Sequence, residues 1–261
     1  MIERKFGVVG DPIAHSLSPF IHRLAYQFYG FNYEYQPYLV KSGSLASFLK
    51  QHPDLNGLSV TMPLKLEAAE LSKAADTNSR ITGVTNTLSL STGEIQGFNT
   101  DVFGIASAIN EATQESFAKV AVLGSGATAR SAIQAISSSL SQAELSVFLR
   151  NEKAKNELIS IFGSFRDLNF LEIESLSGEF DLVINTIPVP LNTEALEAKY
   201  ILDVNYSSSQ SWSNKAHAIN GLEMLIWQAV AQMRIWYFNQ APELPDEQKL
   251  VRLIRDSLVG R

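Results

Sequence analysis

Lys65 and Asp101 are the residues whose placement most invites a chemical reading. Lys65 falls two residues after Pro63 in Val60-Thr61-Met62-Pro63-Leu64-Lys65, in the first turn of a predicted helix. There the macrodipole disfavours a cation and favours the neutral amine, a useful bias for a group that exchanges a proton near neutral pH. An exposed helical lysine is the plainer reading of the same position. Asp101, in Asn99-Thr100-Asp101 at the start of another predicted helix, is by itself an N-cap or first-turn aspartate. Ser18 ahead of Pro19 reads as an N-cap, Thr61 as a strand threonine, and Gln228 as a polar residue on an apolar helix.

A second constellation has a cofactor reading. Val120-Ala-Val-Leu-Gly124-Ser125-Gly126-Ala127-Thr128-Ala129-Arg130 is a predicted strand running through G-x-G-x-x-A into a predicted helix. The first glycine permits the tight turn, the second lets the backbone approach a pyrophosphate, and Ala129 allows close helix packing. The plainer reading is a glycine turn in a Rossmann-like fold without a cofactor. The next strand ends in Arg150-Asn151 rather than in the acidic residue that would take the ribose 2′-hydroxyl of NAD. A guanidinium there suits a 2′-phosphate, so NADP is expected over NAD.

The elements that would position these residues follow from periodicity. Phe6–Gly10, Tyr33–Val40 and Gly57–Met62 read as strands, with helices from Pro19 to Gly30, Ser44 to Lys50 and Pro63 to Ala75. Gly83–Leu90 and Glu94–Phe98 look like paired strands across Ser-Thr-Gly, which predicts a mixed sheet with helices. Asn99–Ala112 is helical, and the polar stretch Glu111–Lys119 marks a candidate boundary. Beyond it Val120–Leu123, Leu145–Leu149, Asp181–Asn185 and Ile201–Val204 read as strands with helical segments between the first three, hence a parallel sheet. Leu222–Tyr237 and Asp246–Leu258 are predicted helices that close the chain. The expected fold is therefore α/β in two domains, a mixed-sheet domain followed by a Rossmann-like parallel-sheet domain.

Composition excludes several classes of function. The chain has 261 residues, a formal net charge of −6 and no cysteine, so a thiolate nucleophile and Cys-ligated metal are excluded. The acidic balance, with no run of five like charges, argues against nucleic acid as a partner. His15, His22, His52 and His217 form no metal-binding spacing, and no metal site is expected. Apolar runs fall short of the roughly 20 residues a bilayer needs, and Met1–Gly10 has no signal-like apolar region, so the expected setting is the cytoplasm without a membrane partner.

Five motifs in order give the chain a resemblance to the shikimate dehydrogenase family. Gly10-Asp-Pro-Ile-Ala-His-Ser16-Leu-Ser18-Pro19 is similar to the family's G-x-P-[IV]-x-H-S-x-S-P, and Val60-Thr61-Met-Pro63-Leu-Lys65 to its V-T-x-P-x-K. Gly83-Val-Thr-Asn86-Thr87 is similar to G-x-x-N-T, Gly97-Phe-Asn99-Thr100-Asp101-Val-Phe-Gly104 to G-x-N-T-D-x-x-G, and Gly221-Leu-Glu-Met224-Leu225-Ile-Trp-Gln228-Ala229 to G-x-x-M-L-x-x-Q-A. Departures fall at Ser59, where the family commonly has asparagine, at Asn185–Pro190, and at Ser207–Ser213.

The resemblance implies NADPH-linked, reversible reduction of 3-dehydroshikimate to shikimate, with Lys65 and Asp101 as the catalytic pair. It implies that Ser16 and Ser18 hold the substrate carboxylate, and that Thr61, Asn86, Asp101, Tyr206 and Gln228 contact hydroxyls or the Lys65 amine. Gly124, Ser125, Gly126, Ala127, Thr128, Arg150, Asn151, Val204 and Gly221 would meet the cofactor. It implies a substrate domain at 1–100, with helices at 220–261 returning to it, and an NADP domain at 101–219. A quinate/shikimate dehydrogenase using NAD and a non-catalytic shikimate binder stay open as alternatives. The sequence is equally compatible with a monomer and a homodimer.

Overall fold

Phe6, Val8 and Val9, the apolar run of the first predicted strand, are buried in β1 (Arg4–Gly10). The computed structural model describes residues 2–90, 93–139, 142–165, 167–205, 212 and 216–258. It divides into two units, Met1–Thr100 with Leu225–Arg261, and Asp101–Met224.

In the first unit β1 is followed by α1 (Ser18–Tyr29), β2 (Tyr33–Leu39), α2 (Leu45–Gln51), β3 (Gly57–Val60) and α3 (Lys65–Leu71). Then come β4 (Lys73–Ala74), α4 (Thr77–Thr82), β5 (Thr87–Ser89) and β6 (Gln96–Phe98). The sheet order is β2-β1-β3-β5-β6-β4. β1 runs parallel to β2 and β3, whereas β5 is antiparallel to β3 and β6, so the sheet is mixed as expected.

Two expectations are corrected here. The N-cap of α1 is Leu17, with no side-chain cap bond, and Ser18 is the first helical residue with Pro19 beside it. The helix predicted from Pro63 to Ala75 is broken: Ser72 adopts extended backbone (φ −118°, ψ 155°), and Lys73–Ala74 then pairs with Gln96–Gly97. A third feature matches its cue. Gly30 ends α1 in the left-handed conformation (φ 70°) that glycine adopts without a Cβ penalty.

The second unit holds α5 (Asp101–Ala112), β7 (Lys119–Leu123), α6 (Ala127–Ser139), β8 (Glu144–Leu149), α7 (Glu152–Phe162) and β9 (Leu168–Glu172). β10 (Gly178–Asn185), β11 (Leu196–Asp203) and β12 (His217–Ile219) complete its sheet; α8 (Gly221–Tyr237) passes into the first unit at Leu225, and α9 (Glu247–Leu258) belongs to the first unit. The order β12-β11-β10-β7-β8-β9, parallel throughout, is the doubly wound Rossmann arrangement. Alternate residues feed opposite faces: Val120, Val122, Leu182 and Ile184 enter one core, Ala121, Leu123 and Val183 the other. Both faces are covered, which is why these strands read as continuous apolar runs. The polar stretch 111–119 joins α5 to β7 within this unit. β9 and β12 were not anticipated.

Candidate active site

The loop after β3 carries the first half of the site. Thr61 N–H donates to Val9 O (2.9 Å) and Leu64 N–H to Thr61 O (2.9 Å), so the chain turns directly from strand to helix. Lys65 is the first residue of α3, where the sequence pattern expects it. The Glu67 carboxylate accepts the N–H groups of Gly43 (2.8 Å) and Leu45 (2.9 Å), fastening α3 to the start of α2. Lys65 O accepts from Thr85 N–H (3.1 Å), which joins it to the segment leading to Asn86.

Asn86 is buried in a polar knot. Its Oδ1 accepts from Thr87 Oγ1 (2.9 Å) and from Thr100 N–H (2.8 Å), while its Nδ2 donates to Thr100 Oγ1 (2.9 Å). The amide is thereby fixed with its oxygen toward the two threonines. Asp101 follows Thr100 as the first residue of α5 and is 3% exposed.

Ser16 is half-buried, and its Oγ accepts from Ser18 N–H (3.4 Å). Ser18 is buried, and its side chain reaches the hydroxyl of Tyr35. On α8 the predicted Gln228 is buried, with its Nε2 donating to Leu225 O of the same helix (2.8 Å). Tyr206 lies outside the described residues.

The sequence reading missed Gln232, one turn beyond Gln228. It is 0% exposed and bonds to three other elements and the residue before β5. Its Oε1 accepts from Ser59 Oγ (2.7 Å) and faces His22 Nε2 (3.2 Å), and its Nε2 donates to Thr87 Oγ1 (3.0 Å) and Asn86 O (3.4 Å). Ser59 Oγ also meets Tyr35 Oη (2.6 Å), and His22 Nδ1 meets Tyr237 Oη (2.8 Å), which in turn meets Tyr26 Oη (2.8 Å). His22 stacks on Tyr35 at 4.3 Å with the rings 7° from parallel. Burial pushes His22 down to about 3, opposed by its bond to Gln232, so it is neutral. Burial likewise raises the Tyr26, Tyr35 and Tyr237 hydroxyls above the ordinary tyrosine range. The one local cue to Gln232 is a second glutamine at i+4 from Gln228 on a largely apolar helix that also carries Glu223 and Arg234, and it does not identify the partners.

In the second unit the glycine turn meets the geometric demands of a phosphate cradle. Gly124 has φ 117°, and a Cβ there would collide with Thr186 Oγ1, which itself donates to Leu123 O (2.7 Å). Gly126 is exposed, and a Cβ on it would meet no atom within 4 Å. Ser125 and Gly126 therefore lead into α6 with open space above the backbone, and Ala127 and Thr128 form the helix's first turn, whose N–H groups suit an anion. A dinucleotide pyrophosphate fits this turn.

Gly221 abuts the end of β11, where a Cβ would collide with Asp203 O. Val204 N–H donates to Asn185 O (3.0 Å). Asn151 caps α7, its Oδ1 accepting from Lys153 N–H (2.9 Å) and Ala154 N–H (3.2 Å). Arg150, just past β8, is 65% exposed and stands 3.3 Å from the Glu174 carboxylate. Among the described residues no group of His, Asp or Glu side chains is arranged to hold a metal, and no helix is long and apolar enough to cross a membrane.

These features define a class: a two-domain α/β protein, one domain built on a mixed sheet and the other on the Rossmann strand order with its glycine turn. Comparison with known proteins narrows the class. A model of the shikimate dehydrogenase substrate binding domain matches residues 8–88. Over 247 residues the chain is 32% identical to the shikimate dehydrogenase (NADP(+)) of Ignicoccus hospitalis, covering 88% of this chain and 92% of that protein. It is 31% identical over 275 residues to the corresponding Legionella pneumophila (strain Corby) protein, covering 97% and 98%. The solved shikimate 5-dehydrogenase of Thermus thermophilus, in complex with NADP(H) and shikimate, matches with a TM-score of 0.82 at 25% identity, covering 98% of this chain and all of that one. The chain belongs to the shikimate dehydrogenase family.

Proposed function

We propose that the protein catalyses the reversible, NADP-linked interconversion of 3-dehydroshikimate and shikimate. The observation that carries this reading is that similarity to NADP(+)-linked shikimate dehydrogenases runs through both units, over 97% of the chain in the Legionella pneumophila comparison. In this reading Ser16 and Ser18 hold the substrate carboxylate. Asn86, held with its oxygen turned toward Thr87 and Thr100, meets a ring hydroxyl as an N–H donor, with Thr61, Gln228 and Tyr206 contributing further polar contacts. The Lys65 amine delivers a proton to the forming alkoxide during reduction and takes it back during oxidation, with the Asp101 carboxylate orienting the amine.

NADP, when bound, supplies or removes the hydride. Gly124, Ser125, Gly126, Ala127 and Thr128 would hold its pyrophosphate at the start of α6, and Arg150 with Asn151 its 2′-phosphate end. Val204 and Gly221 would lie toward the other end of the sheet edge. A second reading, with NAD, is favoured by the pairing of Arg150 with the Glu174 carboxylate at 3.3 Å, which engages the guanidinium that a 2′-phosphate would need. The test is turnover with shikimate by nicotinamide absorbance, using NADP and NAD in parallel, for the wild type and Lys65→Ala. Turnover preferring NADP supports the reading, and preference for NAD favours the second one.

A further inference from the structure

Every hydrogen of the Gln232 carboxamide and both faces of its oxygen are committed, and the direction of each bond can be deduced. Asn86 O already accepts Val60 N–H at 2.7 Å and has no hydrogen to give, so it must face the Gln232 NH₂ group. That orientation turns Gln232 Oε1 toward Ser59 and His22 and makes both of them donors. His22 therefore carries its proton on Nε2 and accepts at Nδ1 from Tyr237, whose hydroxyl accepts from Tyr26. Ser59, having spent its hydrogen on Gln232, accepts from Tyr35. On the other side the second Gln232 N–H points at Thr87 Oγ1, so Thr87 turns its own hydrogen to Asn86 Oδ1.

A single buried amide thus sets the polarity of a chain of side chains that ends on Asn86. Without it Thr87 could donate in another direction. The Asn86 oxygen would then keep the Thr100 N–H but lose its second donor, a looser seat for the amide whose N–H the proposed function needs. We propose that Gln232 is a positioning residue for substrate recognition: acting through Thr87, it joins the Thr100 N–H in holding the Asn86 amide in the orientation that donates to a substrate hydroxyl. This rests on the substrate reading given above. It does not require Gln232 to touch the substrate, and it separates Gln232 from its neighbour Gln228, whose side-chain bond stays within its own helix.

The test uses the full chain with shikimate as the probe, and reads calorimetric Kd, KM, kcat and Tm. Gln232→Met and Thr87→Val are each expected to raise the shikimate Kd and KM about fivefold to tenfold, the weight of one well-placed hydrogen bond. Both should leave the NADP Kd unchanged and kcat within about threefold, the pattern of a contact made equally in ground and transition states. The double variant should match either single one, because both cut the same relay. Tyr26→Phe, at the far end of the network, should lower Tm and leave the shikimate Kd alone. Thr87→Val keeps the experiment decisive where Gln232→Met fails to fold. Unchanged shikimate Kd in the folded variants, or losses that multiply in the double variant, overturns the positioning role. A wild type that binds no shikimate overturns the substrate reading, and the inference with it.

Discussion

Lowering the pH should destabilise the first unit through His22. The imidazole is 0% exposed, and its neighbours Tyr35, Tyr237, Trp236 and Gln232 are uncharged, so none of them compensates a proton. Its folded value of about 3 lies below the ordinary 6.5. The unfolded chain therefore takes up the proton first, and stability falls as pH drops below 6.5 toward 3, at up to about 1.4 kcal/mol per pH unit. Between pH 8 and pH 5 the loss from this one group comes to about 2 kcal/mol.

Other groups also titrate, so the measurement is a difference. His22→Gln keeps a donor for Gln232 and an acceptor for Tyr237 and does not ionise. Wild type and variant are unfolded in urea at pH 8, 6.5 and 5, followed by tryptophan fluorescence, since Trp227 and Trp236 both lie in the first unit. The variant starts less stable, having lost the stack on Tyr35, and the gap to wild type should close by about 2 kcal/mol at pH 5. Stability curves that stay parallel across this range would refute a neutral, unprotonatable His22.

Two further expectations concern the second unit. Gly126→Ala places a methyl group in the open space above the turn, so NADP affinity should fall by on the order of tenfold while stability changes by less than about 1 kcal/mol. Equal affinity measured by calorimetry would remove the pyrophosphate from this turn. Arg150→Ala should raise KM for NADP by about tenfold or more and leave KM for NAD nearly unchanged, because a charge-assisted bond to the 2′-phosphate is lost. Equal effects on both cofactors in steady-state kinetics would show that Arg150 does not read the phosphate.

The parts of the fold legible in the sequence are those that local physics decides. β-branched runs in the second unit became strands buried on both faces, Gly30 closed α1, and the spacing of Gly124, Gly126 and Ala129 marked the turn between β7 and α6. β9 escaped because it is an edge strand whose residues are mostly exposed, and β12 because it is only three residues long. The break at Ser72 escaped because it depends on pairing with Gln96 and Gly97, which local periodicity does not encode.

The site divides in the same way. Lys65 and Asp101 could be placed on helix starts from neighbouring residues alone, and both stand there. Gln232 could not, since its partners Ser59, Asn86 and Thr87 are 173, 146 and 145 positions away. Ser59 was noted as a departure from the family pattern, and its hydroxyl is in fact engaged by Tyr35 and Gln232.

Lys65 as the proton carrier in an NADP-linked oxidation of shikimate can be examined by adding shikimate and NADP to the wild type and to Lys65→Ala, following nicotinamide absorbance and measuring shikimate binding by calorimetry on the same samples. The wild type should turn over, and the variant should lose between about a hundredfold and ten thousandfold in kcat, the range for a general acid–base group, with shikimate still bound. Wild-type turnover matched by Lys65→Ala, or shikimate binding without any turnover by the wild type, would contradict it.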